Sequence, residues 1–323
     1  MVVSWFTPAG FVSWIVVACL IHSPSQACQP EDLSALKEFA GNLTRGSILA
    51  SWTNRSCCRW DGVVCGNGGR GSSGKRVIML VLPNRGLEGR ISSSMARLAE
   101  LRLLNLSFNR LRDRLPEELS EMSRMEILDV SHNRLLGPAP GAPFKFTAIR
   151  SLNISSNLMQ GSVSDLGQFP KLVEFNLSNN SFVGGIDHRL CNSSGGVRTL
   201  DLSANGFDGG LAGLENCRAS LRELHVDGNS FSGVLPDYLY DMPSLEHLSI
   251  SDNNFSGEIS GRLGELSGLK SFAFSTNHIT GSLPDVFGIS GRPVQFAVWC
   301  AASHLVSLLG APGAGSPEQF SGG

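Results

Sequence analysis

From Val77 onward the chain repeats one arrangement of apolar and polar positions. Apolar residues stand eight, five and three places before an asparagine and another stands two places after it, as in Leu221, Leu224, Val226, Asn229 and Phe231. The asparagines are Asn109, Asn133, Asn157, Asn180, Asn205, Asn229, Asn253 and Asn277, spaced 23 to 25 residues apart. An earlier stretch, VIMLVLPNRGLEG, fits the template with Arg85 in the asparagine's place, so the template runs nine times over residues 77–287.

Each position predicts an element. Two apolar residues two apart point to one side of a short strand, and the intervening residues face solvent. A buried asparagine can donate to and accept from backbone groups where the chain turns, which no apolar residue can do. Four places after it comes glycine, with Asp113 the exception, and Pro116, Pro140, Pro236 and Pro284 follow as turn formers. One coil cannot bury its own apolar face but stacked coils can, so the expected architecture is a solenoid. The stripe Phe182, Phe207, Phe231 and Phe255 is expected in its core.

Upstream, Leu33, Leu36, Phe39 and Leu43 recur at helical spacing and predict an amphipathic helix covering the first coil's open edge. The segment continues through Ser51–Trp52 to Cys58, Trp60, Gly62, Val63 and Cys65. These features together resemble the plant extracellular leucine-rich-repeat receptors. That resemblance implies an α/β repeat solenoid, a right-handed curved array with a helical, disulfide-bonded N-terminal cap over residues 28–76. Within that family CCRWDGVVC, LPNRGLEG and the pair Cys191 and Cys217 are similar to the N-terminal half of a phytosulfokine receptor ectodomain. Four cap cysteines permit three pairings; the resemblance implies Cys58 with Cys65 and Cys28 with Cys57. Cys191 and Cys217 fall at similar phases of neighbouring coils, where a bridge is sterically reasonable.

Composition places the chain in a compartment. Residues 1–27 hold an apolar run, Phe11–Ile21, followed by Ser25 and Ala27, a pattern expected of a cleaved secretory leader despite the missing N-terminal cations. N-x-[ST] sequons occur at Asn42, Asn54, Asn105, Asn153, Asn176, Asn179, Asn192 and Asn254. Together these predict a glycoprotein that is secreted or held at the outer face of the plasma membrane, where disulfides persist. A net charge of −2 gives no footprint for nucleic acid.

No catalytic motif is present: no nucleophile elbow, no HExxH, no phosphate loop and no kinase signature. No cofactor is implied, and the expected activity is binding. The template places Asp201 and His225 four before the asparagine, Asp227 two before it, and Glu223, His247 and Asp252 on adjacent rungs, as a candidate ligand face. A second column, seven before the asparagine, contains Arg150, Arg198, Arg222 and Lys270 and forms a candidate basic edge for an anionic ligand. The expected partners are a peptide ligand and a co-receptor ectodomain. Two other readings stand beside this one: a secreted inhibitor resembling the polygalacturonase-inhibiting proteins, and a decoy or scaffold without a ligand of its own.

Residues 288–323 leave the template: position 301 is alanine where the next asparagine is due. They are expected to form an irregular tail, with a marginally membrane-length apolar run at Phe296–Ala311 and an unpaired Cys300. An uncapped ninth coil would favour self-association.

Overall fold

A computed structural model of the protein describes residues 28–67, 74–138, 146–163, 169–191, 196–282 and 295–297. The leader, the sequon at Asn192, Pro140, Pro284 and most of the tail lie outside the described residues.

The chain winds into a leucine-rich-repeat solenoid. The first coil contributes the strand Lys75–Val81 and each later coil a three-residue strand, such as Leu103–Asn105, Glu223–His225 or Ser271–Ala273, to one sheet of eleven strands. The cap strand Val63–Asn67 pairs antiparallel with the first coil. From coil to coil the pairing is parallel and in template register, so Glu223 lies beside His247 and Leu224 beside Leu248. The apolar members are buried along the whole stack, from Leu80 and Leu104 to Leu248 and Phe272. Short 3₁₀ turns such as Glu117–Glu121 and Asp237–Asp241 form the backs of the coils.

The asparagine ladder does what its burial demands. Asn109 accepts from the backbone N–H of Arg85 and Leu87 (3.0 and 2.9 Å) and donates to the carbonyls of Leu82, Leu106 and Ser107. The same arrangement recurs down to Asn277, which accepts from Phe255 and donates to Ile250, Phe274 and Ser275. Each side chain thus stitches its own turn to the preceding coil.

The residue just before each asparagine is left-handed: Phe108, His132, Ser156, Asn179, Ala204, Asp252 and Thr276 all have φ between 50° and 56°. This conformation costs an L-residue on the order of 1 kcal/mol. It turns that residue's carbonyl onto the ladder asparagine's N–H in the preceding coil, as in Asn109 N–H to His132 O at 3.1 Å. The inter-coil bond offsets the strain.

A second sheet, of ten strands, follows the ladder. It includes Glu88–Arg90, Arg110–Asp113, Arg134–Pro138, Leu158–Gly161 and Ser181–Gly184. Here the template glycine sits opposite the next coil's buried apolar residue: Gly184 beside Phe207, Gly209 beside Phe231, Gly233 beside Phe255. Phe182, Phe207, Phe231 and Phe255 stack at 6.1 to 6.3 Å inside.

The cap is tied to the first coil by a buried charge. Asp32, fully buried in the helix Pro30–Gly41, accepts from the N–H of Val77 at 2.7 Å and pairs with Arg76 at 2.9 Å. Ala35, Leu36 and Phe39 form the helix's buried face, but the helix ends at Gly41, so Leu43 belongs to the strand Leu43–Arg45. Disulfides join Cys28 to Cys57 and Cys58 to Cys65, and a third joins Cys191 to Cys217 between adjacent 3₁₀ turns with Cα atoms 4.9 Å apart.

One expectation needs correction. The tail is not wholly irregular: Gln295–Ala297 forms a strand paired in parallel with Ser271–Ala273, at the template spacing of 24 residues. The ninth coil's strand is therefore not the edge of its sheet.

Candidate functional site

The sheet of eleven strands presents an open face whose chemistry changes along the stack. In five early and middle coils the residue four before the asparagine is Asn105, Asp129, Asn153, Asn176 or Asp201. Each accepts from the backbone N–H of the serine two residues on at 2.9 to 3.1 Å, and from its hydroxyl at 2.6 to 2.8 Å. Asn and Asp are interchangeable here because an acceptor oxygen is all the motif requires. Asp201 is therefore engaged internally, and three sequons, at Asn105, Asn153 and Asn176, sit half-buried within this motif.

The motif breaks at the next coil, where His225 replaces the acceptor and Asp227 replaces the serine. Asp227 turns to the following coil, accepting from the N–H of Ser251 at 3.0 Å and from the hydroxyl of Ser249. His247 is bonded through Nδ1 to the Ser271 hydroxyl at 2.7 Å. Glu223 and His225 are half-buried and make no side-chain hydrogen bond or ion pair among the described residues. Asp252 does not share this face: it occupies the exposed left-handed turn beyond the strand.

These side chains do not converge on a metal. Among the described residues the one trio of potential ligand atoms within 4.8 Å is Cys28, Cys57 and Cys58, and all three are spent in disulfides.

The basic edge is partly neutralised. Glu126 pairs with Arg102 at 3.4 Å, and Glu246 lies between Arg222 and Lys270. The Lys270 ammonium, then Arg222, hold the Glu246 carboxyl below its ordinary range. Arg150 and Arg198 remain without an ion pair among the described residues.

The remaining described sequons are all exposed and differ in what they bond. Asn42, Asn179 and Asn254 are exposed, whereas exposed Asn54 accepts from Trp60 Nε1 at 3.1 Å and from the N–H of Ser56. Among the described residues no helix is long and apolar enough to cross a membrane.

Comparison with known proteins follows this geometry. Residues 29–66 match the leucine rich repeat N-terminal domain, and residues 100–122, 171–193, 220–242 and 244–266 match the leucine rich repeat. Phytosulfokine receptor 2 of Arabidopsis thaliana is 63% identical over 199 residues, which are 61% of this chain and 19% of that protein. This chain therefore spans a minor part of its relative's length. The ectodomain of the Arabidopsis receptor kinase HAESA, solved with a peptide hormone, matches with a TM-score of 0.63 at 26% identity, over 79% of this chain and 47% of that one. A HAESA structure with the hormone IDA and the co-receptor SERK1 gives 0.64 at 25% identity, over the same shares. In its cap and repeats the chain is thus similar to the extracellular leucine-rich-repeat regions of plant receptors.

Proposed function

We propose that this chain is the recognition part of a plant cell-surface receptor and binds a peptide across the open sheet of its later coils. The observation that carries this is the break in the internal motif. Upstream of it the polar side chains of the face satisfy one another. At Glu223 and His225 half-buried polar groups are left without partners, and a ligand can supply them. Arg150 and Arg198, unpaired on the strand edge, would draw an acidic peptide towards the same sheet. The relative's ligand, phytosulfokine, is the first peptide to test, as its sulfated pentapeptide.

The chain acts by binding and not by catalysis, carries a cleaved leader over residues 1–27, and works at the outer face of the plasma membrane. Residues 28–76 serve as the cap of the array, residues 77–287 as its repeats. Glycans at Asn105, Asn153 and Asn176 would cover the early face and leave the later coils open. A co-receptor ectodomain is the natural second partner, as SERK1 is for HAESA.

Titration of the secreted chain with sulfated and unsulfated pentapeptide tests the reading. Binding of the sulfated form, weakened at least about tenfold by Glu223→Ala with His225→Ala, is expected. Absence of binding to either peptide, together with inhibition of a fungal polygalacturonase, would move the assignment to a secreted inhibitor.

A further inference from the structure

Most charged columns on this surface are neutralised: Arg85 by Asp61, Arg97 by Glu38, Arg124 by Glu100, Arg222 and Lys270 by Glu246, and Arg262 by Asp241 and Glu265. The outer face of the second sheet, in its early coils, is different. Arg90 lies in register with Arg112, and Arg112 with Arg134, across three adjacent parallel strands. Arg110 projects from the same side of its strand as Arg112, separated by buried Leu111. Arg110, Arg112, Arg114 and Arg134 are all exposed, and none has an ion pair among the described residues. Arg90 makes a 3.5 Å ion pair with half-buried Asp113, and Glu88, in register with Arg110, is the other acid on these strands. Like charges directly opposite one another on neighbouring strands repel, so this column costs stability until an anion sits on it.

Beside the arginines lies an exposed ring platform. Phe108, 56% exposed, stacks on His132 with centroids 4.1 Å apart and planes within 13°. Both rings stand on left-handed turn residues, which hold them out from the core.

We propose that this face binds a linear carboxylated polysaccharide, a polyuronate, independently of the peptide-binding face. The arginine column has the spacing of neighbouring strands, about 4.8 Å. A polyuronate carries one carboxylate on every sugar, and in an extended twofold chain those on one side recur every second sugar, close to the two-strand step from Arg90 to Arg134. An extended acidic peptide presents same-side carboxylates every second residue, about 6.6 Å apart, and falls out of step with the column. Guanidinium forks bind carboxylates in pairs of hydrogen bonds, and the Phe108–His132 stack offers a flat apolar surface to the C–H face of a sugar ring.

The test is titration of the full chain with an oligogalacturonate of about ten sugars, long enough to cross four strands at about 4.8 Å each. Saturable binding that weakens as salt rises is expected. Arg112→Glu with Arg134→Glu should weaken it at least about tenfold, and Phe108→Gly should weaken it about threefold. Glycine already occupies the equivalent turn at Gly228, so that variant keeps the fold. Arg218→Glu, on an exposed residue after the Cys217 turn, should bind as the unmodified chain does. Thermal unfolding of each variant separates lost binding from lost structure. No binding of the oligogalacturonate, or binding untouched by the double substitution, would overturn the proposal. Equal or tighter binding of poly-L-glutamate through the same arginines would reassign the face to an acidic polypeptide.

Discussion

The early and late coils share one skeleton and fill it differently. The asparagine ladder runs through both without interruption. In the early coils the apolar residue after the asparagine is Leu111, Leu135 or Met159; in the later ones it is Phe182, Phe207, Phe231 or Phe255, stacked ring on ring. The faces diverge too. Early coils present a self-satisfied acceptor–serine motif on the open sheet and unpaired arginines on the outer one. Late coils present unpartnered Glu223 and His225 on the open sheet and uncharged residues such as Ser230 and Ser232 on the outer one. The backbone hydrogen bonds set the coil, and once they are satisfied each half is free to carry its own surface chemistry.

The ring stack is where the halves should differ most in stability. Phe207→Ala removes a fully buried side chain from between two stacked neighbours and is expected to cost about 4 kcal/mol, against about 3 kcal/mol for Leu135→Ala. The sharper contrast lies in coupling. Phe207→Ala and Phe231→Ala together should be non-additive by about 1 kcal/mol, whereas Leu111→Ala with Leu135→Ala should show a few tenths. Denaturant unfolding of the two double-mutant cycles reads both values. Equal coupling in the two halves would mean that ring stacking contributes nothing beyond burial.

The ladder offers a smaller contrast. Asn133 is 9% exposed, whereas Asn229 is half-buried, although each makes the same set of backbone bonds. Asn133→Ala strands the Leu111 N–H and the carbonyls of Leu106, Val130 and Ser131, at an expected cost of about 3 kcal/mol. Water can reach the partners of Asn229, so Asn229→Ala should cost about 2 kcal/mol. Hydrogen exchange should show the Leu111 amide losing more protection than that of Phe207.

What the sequence discloses and what it hides follow from one geometric fact. The open sheet pairs at the template spacing, so its strands, the ladder and the unpartnered Glu223 and His225 all fall in columns of the repeat. The second sheet pairs with a step two residues shorter than the repeat, 22 residues in Arg90 to Arg112 and Arg112 to Arg134. Its register slips two residues against the repeat at every coil. Arg90, Arg112 and Arg134 therefore occupy three different template positions, and no column of the repeat contains them together. Asp32 and Arg76 are hidden for another reason: they are 44 residues apart and belong to no period. The basic edge was legible as a column, and so were the acids within it, Glu126 and Glu246, seven before their asparagines; the structure adds that their side chains reach Arg102, Arg222 and Lys270. The apolar positions in the tail predicted nothing by themselves. Only the pairing of Gln295–Ala297 shows that a strand can persist after its asparagine is lost.

The smallest expected effect concerns the middle of the array, where the two halves meet. Asp187 accepts from the Arg189 N–H and Nε, both at 2.8 Å, at the start of the turn that ends in Cys191. These bonds to Arg189 hold its carboxyl well below the ordinary value of 3.8, at about 2. A carboxylate whose pKa is lowered by folding stabilises the native state at every pH above its unfolded value. That contribution fades as pH falls from about 4 through 2 and is gone only below the native value, where both states are protonated. Arg189 is half-exposed, so solvent screens the pair and the effect is small. Asp187→Asn should lower the melting temperature by about 1–2 °C at pH 6, and the difference should shrink steadily as pH falls from about 4 through 2. Arg112→Gln, which removes one charge from the early-coil arginine column, should shift the melting temperature in the opposite direction. A difference for Asp187→Asn that grows in acid would mean that the Arg189 bonds do not set the titration of this carboxyl.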